Sequence, residues 1–208
     1  MKRLFAATFS DTSSFDEDLA RKDWVLLLRD TAGSLTGFTT LQKTYHELEG
    51  QRVAVFFSGD TVVASGQRHR SDLARLWSSE VFSQVAVETC PCYWFLICSG
   101  FRTYRFLPVF YSEFFPRFDR PTPLPLRHFL DQLATQRFGP LYDPQSGVVK
   151  LAVPCLEPLP ERQLDEHAQF FLKHNPGWAR GHELACLTRL ETSNLTAAGR
   201  RMVVQKVG

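Results

Sequence analysis

The chain predicts an α/β fold in which a mixed, mostly antiparallel sheet is flanked by helices, and three observations carry that expectation. Residues 24–64 contain three β-prone runs separated by turn residues. Residues 71–85 place Leu73, Leu76 and Trp77 on one helical face. Residues 93–98 form a short, fully apolar run bounded by Pro91 and Gly100, the pattern of a buried strand. With 208 residues, 44% of them hydrophobic, the chain is long enough for one well-buried core.

The elements follow in order. Ser13 or Ser14 caps a helix beginning near Phe15, with Asp16, Glu17 and Asp18 at its positive end and Arg21 and Lys22 near its close. Trp24-Val25-Leu26-Leu27-Leu28-Arg29 is a strand, and residues 30–34 supply a turn through Gly33. The returning strand, residues 35–45, is polar enough to be half exposed, and Gly50 marks a second turn. Arg52-Val53-Ala54-Val55-Phe56-Phe57 is apolar and β-branched, breaks at Ser58-Gly59-Asp60 and resumes over residues 61–64, which predicts a bulge or bend.

A basic turn, Gln67-Arg68-His69-Arg70, precedes a helix that starts at Ser71 or Asp72 and runs to about Val85. After the strand at 93–98, residues 101–115 read as a helix kinked around Pro108 and ended by Pro116. Pro121, Pro123 and Pro125 form a connector to a helix over residues 126–136. Residues 148–153 and 183–190 are strands that need an existing sheet, with a helix near 164–173 and the Asn175-Pro176-Gly177 turn between them. A single domain over residues 1–208 is therefore expected, with an elaborated C-terminal third and a connector near 116–126.

A net charge of +2, from 24 basic and 22 acidic side chains, argues against a polyanionic partner such as nucleic acid. The arginines among the aromatic residues of 101–120 are accompanied by Glu113 and Asp119 and fit packing better than base stacking. Five cysteines without a regular spacing suit reduced thiols, and Cys90-Pro91-Cys92 lacks the matching pair of a zinc site, so no metal is expected. His167 and His174 share a helix face, but a third ligand would have to come from elsewhere. The apolar run after Lys2 and Arg3 is too short for a secretion signal and no run reaches the roughly 20 residues of a membrane span, so a soluble, cytoplasmic protein is expected. The sequon at Asn194-Leu195-Thr196 has no meaning in that compartment.

The order helix, three strands, basic loop, helix, strand, helix resembles the GNAT superfamily of acyltransferases over roughly residues 16–117. In that family the third strand leads into a Q/R-x-x-G-x-G/A loop that receives the pyrophosphate of acyl-coenzyme A. The matching stretch here is Arg68-His69-Arg70-Ser71-Asp72-Leu73, in which Ser71 and Leu73 stand where the family has glycines and Asp72 adds a carboxylate beside a phosphate site. The resemblance implies a GNAT-like fold and transfer of an acyl group from acetyl-coenzyme A, or another acyl-coenzyme A, to a small-molecule amine by direct attack on the thioester. An acyl-carrier protein is a second possible donor. Arg68, His69, Arg70 and Ser71 would hold the phosphates, the backbone at Val62 and Val63 the pantetheine arm, with Asp60 the base and Tyr104 the acid.

Each assignment has a structural counterpart. Ser58, Asp60 and Thr61 also suit the backbone of a bulge. Tyr104 and Tyr111 both follow the buried strand, the spacing selects neither, and both suit packing. Arg102 and Arg105 suit an anionic ligand or a solvated helix face. A noncatalytic ligand-binding or interaction protein on the same fold is the competing function, and a cysteine hydrolase with one activated thiol is a third.

Overall fold

The computed structural model describes residues 1–7, 12, 15–64, 70–152 and 164–203, with backbone only at Arg70 and Ser71. Two short helices, α1 (Lys2–Ala6) and α2 (Phe15–Ala20), precede a three-stranded meander of β1 (Trp24–Arg29), β2 (Leu35–Leu48) and β3 (Gln51–Val63). Gly33, at φ 82°, and Gly50, at φ 77°, take the left-handed conformations that close the two hairpins. Then come α3 (Arg70–Val87), β4 (Cys92–Cys98), α4 (Phe101–Phe110) and α5 (Leu124–Phe138). The chain closes with β5 (Tyr142–Asp143), β6 (Val148–Lys150), α6 (Glu166–His174), β7 (His182–Arg189) and α7 (Ala197–Val203).

All seven strands form one sheet in the order β1-β2-β3-β4-β7-β6-β5. The β3–β4 pair is parallel and every other pair antiparallel, so the sheet is mixed as the sequence predicts. The parallel pair needs a crossover, and α3 supplies it.

Side-chain alternation divides the core between the two faces of the sheet. On one face Ala54, Phe56, Trp94, Leu96, Leu184 and Cys186 pack with residues of α3, α4 and α6. On the other, Val53, Val55, Phe57, Phe95, Ala185 and Leu187 meet Phe129, Leu130, Leu133 and Ala134 of α5. Phe38 lies three residues before Leu41 in β2; Leu41 belongs to the α3 face, so Phe38 points to the α5 face and carries α1 and α2 there through Phe5 and Phe15. A buried aromatic or aliphatic side chain contributes roughly 1.5–3 kcal/mol. Two continuous apolar faces therefore hold the sheet between its helices.

Two elements differ from the sequence expectation, and the break in β3 follows it. The helix after β4 ends at Phe110, with Pro108 accommodated inside it. Beyond it the helix is replaced by isolated bridges, in which Phe115 exchanges two backbone hydrogen bonds of 2.8 Å with Leu187, covering part of the β7 edge that β6 leaves open. The strand expected over residues 148–153 is shorter, since β6 stops at Lys150. The break at Ser58-Gly59-Asp60 does not end β3: Ser58 pairs with Leu41 and Thr61 with Thr39, so Gly59 and Asp60 together oppose Thr40 in a β-bulge. Among the described residues, no helix is long and apolar enough to cross a membrane.

Candidate functional site

The site begins where two parallel strands part. β3 and β4 are paired only from Ala54↔Cys92 to Phe57↔Phe95. Beyond that point β3 stays with β2 as far as Val63, while β4 stays with β7 as far as Cys98. At the branch the Trp94 indole N–H donates to the Ser58 hydroxyl at 2.8 Å, a side-chain tie just past the last backbone pair. The bulge at Gly59-Asp60 bends β3 at the same level.

The phase of the β2–β3 ladder decides which amides face the opening. Ala64 N–H donates to Thr36 C=O at 2.8 Å. Bonded and non-bonded pairs alternate in an antiparallel ladder, so Val62 is bonded to Phe38, and the amides of Thr61 and Val63 point to the edge that β4 has left. Of the pair expected to hold a pantetheine arm, Val63 faces the opening together with Thr61, whereas Val62 has its backbone committed to β2 and its side chain buried against Phe5, Phe15 and Phe38.

On the α5 face a set of charged groups surrounds the bulge. The Lys22 side chain, only 1% exposed, crosses directly over Gly59 and pairs with Asp18 at 2.8 Å. Arg137 of α5 stacks on the Phe57 ring at 3.6 Å and donates to Gln42 at 2.7 Å. Asp60 is half-buried beside them. Burial raises its carboxyl pKa, Asp18 adds to the rise, and Lys22 and Arg137 oppose it. Burial likewise lowers the pKa of the Lys22 amine.

Sequence reasoning misses a second carboxylate, Glu183 of β7. Ile97 pairs with Ala185 and Cys98 with Leu184, so Glu183 lies just past the end of β4, on the α5 face, across the opening from Asp60. Enclosure within the fold pushes its carboxyl up to about 8, with the charge of Asp60 adding to the shift. The signal in the sequence is a lone acid in an otherwise apolar run, and only the strand order brings it opposite the bulge.

The other expected residues are distributed unevenly. Arg68 and His69 lie outside the described residues, and Arg70 and Ser71 are placed by backbone alone, as the first residues of α3. Leu73, two residues on, is 3% exposed and turns inward from the first turn of that helix. Tyr104 is fully buried among Phe114, Phe170 and Phe171, its hydroxyl donating to Pro116 C=O at 2.8 Å. Burial drives its phenol far above the ordinary range, as it does for Tyr111, whose ring lies 5.8 Å from Trp94. Arg105 pairs with Asp165 at 2.9 Å.

Several of the remaining candidates take structural roles, and Cys155 lies outside the described residues. Cys98 and Cys186 lie buried with their sulfurs 3.8 Å apart, and burial pushes the Cys92 thiol up to about 11, the reverse of an activated nucleophile. His167 sits against Phe118 and His174 stacks on Phe170. Among the described residues no group of three or more His, Cys, Asp or Glu could hold a metal ion. Asn194, the sequon residue, is 7% exposed: it donates to Glu113 C=O, Arg189 C=O and the Thr188 hydroxyl and accepts from Glu113 N–H, tying the segment after α4 to the end of β7.

No protein-family model matches the chain, and no curated protein matches it.

Proposed function

We propose that the protein is an acyl-coenzyme A-dependent N-acyltransferase with a GNAT-like fold, acting on an amine. The observation that carries this reading is the parting of the parallel β3–β4 pair after Phe57 and Phe95, which leaves the amides of Thr61 and Val63 directed into a gap between two strands. An extended amide-containing arm laid in such a gap takes the place of the missing strand and satisfies the edge. The bulge at the gap and a long helix beginning at Arg70, soon after β3, fit the same use, because a helix N-terminus favours phosphate.

Bound there, acyl-coenzyme A supplies a thioester whose C–S bond breaks as the C–N bond to the amine forms, the thiolate taking a proton from water. Thr61 and Val63 N–H groups hold the arm and orient the carbonyl. Arg68, His69, Arg70 and Ser71 receive the phosphates, with guanidinium groups replacing glycine backbone as donors. Asp60 accepts the amine proton, burial having raised its affinity for protons. Tyr104 is given no proton to deliver, since its hydroxyl is committed to Pro116.

A second reading has one observation in its favour. Leu73 stands where the family's loop has a glycine and is buried in the first turn of α3, which suits a protein that keeps the fold as a binding module without the cofactor. Calorimetry with acetyl-coenzyme A separates the two. The acyltransferase reading expects binding that Arg68→Ala and Arg70→Ala each weaken about tenfold, as loss of a charge-assisted phosphate contact does. It also expects transfer to an amine that Asp60→Asn slows at least about a hundredfold. No binding of coenzyme A by the native protein rejects it.

A further inference from the structure

The sheet ends on two unlike rims. At one, β5 has only two residues, Tyr142 and Asp143, and a strand so short offers little template to another chain. At the other lies β1, six residues long, whose outer edge is covered by no strand among the described residues. It carries none of the usual edge protection: no proline or lysine lies within it, and its one charge, Arg29, is at its end. Val25 and Leu27 are 38% and 39% exposed there, flanked by the exposed Asp23 and Arg29. Each flanking charge is held by one neutral backbone group: Asp23 accepts from Lys43 N–H at 2.7 Å through one carboxylate oxygen, and Arg29 donates to Gly33 C=O at 2.8 Å.

We propose that a second copy of this chain covers this edge, its β1 running antiparallel to the first about a two-fold axis at Leu26, so that the two sheets become one. The ladder phase selects the register. Phe38 of β2 is bonded to Val62, so the adjacent Gly37 and Thr39 bond to Leu28 and Leu26 of β1, and the amides and carbonyls of Val25 and Leu27 point outward. An antiparallel partner bonds only where outward residues meet outward residues. About Leu26, Val25 meets the partner's Leu27 and Asp23 meets the partner's Arg29, so bonding, apolar contact and charge all match. An axis at Val25 sets Arg29 against the partner's Arg21, one at Leu27 sets Arg29 against the partner's Val25, and a parallel pair brings like charges together.

The match is to the chain's own sequence, which is why the occupant is a second copy rather than a foreign strand. The assembly closes at two, because β1 is used up in the pair and β5 at the far rim is too short to add a third chain. An edge of six residues buries less than the roughly 1,200 Å² of a standard interface, so the dimer is reversible. The opening between β3 and β4 lies two strands in from β1 and stays accessible, so the dimer neither needs nor excludes the acyltransferase reading.

Sedimentation velocity of the full chain, from about 1 to about 200 μM, tests the idea, with a monomer expected at the low end and a dimer at the high end. Leu27→Pro removes an outward N–H that β2 does not use, and is expected to give a folded monomer throughout. Asp23→Lys and Arg29→Glu are each expected to weaken self-association at least about tenfold. An equimolar mixture of the two is expected to restore it, because only the mixed dimer has opposite charges at both ends of the strand pair. A native chain that stays monomeric, or a dimer that a folded Leu27→Pro leaves unchanged, overturns the proposal. So does a mixture no better associated than its components. If Leu27→Pro does not fold, the mixing experiment decides alone.

Discussion

Gly59 illustrates how one small residue permits the arrangement around the bulge. A Cβ built there would lie 2.3 Å from the Thr40 hydroxyl and 2.9 Å from the Lys22 amine, both on the α5 face. Thr40 is 1% exposed and opposes the bulge, so it has nowhere to retreat, while Lys22 would have to leave the pair it forms with Asp18. Gly59→Ala is therefore expected to destabilise the protein by about 1–3 kcal/mol, read as a lowered urea midpoint at unchanged slope. The sequence displays the break at 58–60 but not its contents. Nothing local tells a reader that Lys22, between α2 and the first strand, covers Gly59, because that contact is made by the packing of α2 on the sheet.

At the scale of elements, β3 has one edge closed by β2 and one edge closed only as far as Phe57. Hydrogen exchange resolves the difference residue by residue. The amide of Val62 is expected to exchange slowly and those of Thr61 and Val63 quickly, and addition of acetyl-coenzyme A is expected to slow the latter two selectively. Equal protection of all three in the free protein would contradict an open edge. The alternation of β3 and its interruption are legible in the sequence. The phase that assigns Val63 to the gap and Val62 to Phe38 is not, since it depends on which pairs of the β2–β3 ladder carry the bonds. Likewise the helix expected over residues 101–115 follows from its aromatic spacing, but its last turn is given up to a two-bond bridge with β7 that no local propensity foretells.

For the molecule as a whole, the enclosed Glu183 couples folding to pH. Its folded-state pKa, about 8, lies above the ordinary 4.5. Between those values the folded chain binds more protons than the unfolded one, so the contribution of Glu183 to stability is full at low pH and is lost as pH rises toward about 8. Asp60 acts in the same direction, its pKa also being raised by burial. The opposing contribution of Lys22, whose amine is lowered by burial, falls below its ordinary 10.5. Glu183→Gln is expected to gain at least about 1 kcal/mol over the native protein at about pH 8.5, and to lose most of that advantage at about pH 5, in denaturant titrations at both pH values. A variant equally stable relative to the native chain at both would place Glu183 in water.

The sequence by itself determines the order of elements, the two-faced sheet and the bulge, because each depends on periodicity and turn chemistry within a few residues. It also displays Asp60 as a polar break in an apolar strand. Only the tertiary structure decides that β7 inserts beside β4 rather than at the sheet's rim, and this one choice of strand order brings the lone acid Glu183 to the end of β4. The same packing removes Tyr104 to the core by surrounding it with Phe114 and with Phe170 and Phe171 of α6, a helix remote in sequence. Local patterns fix what each segment becomes, and long-range pairing, whose loop-closure entropy and burial no short window contains, fixes which side chains meet.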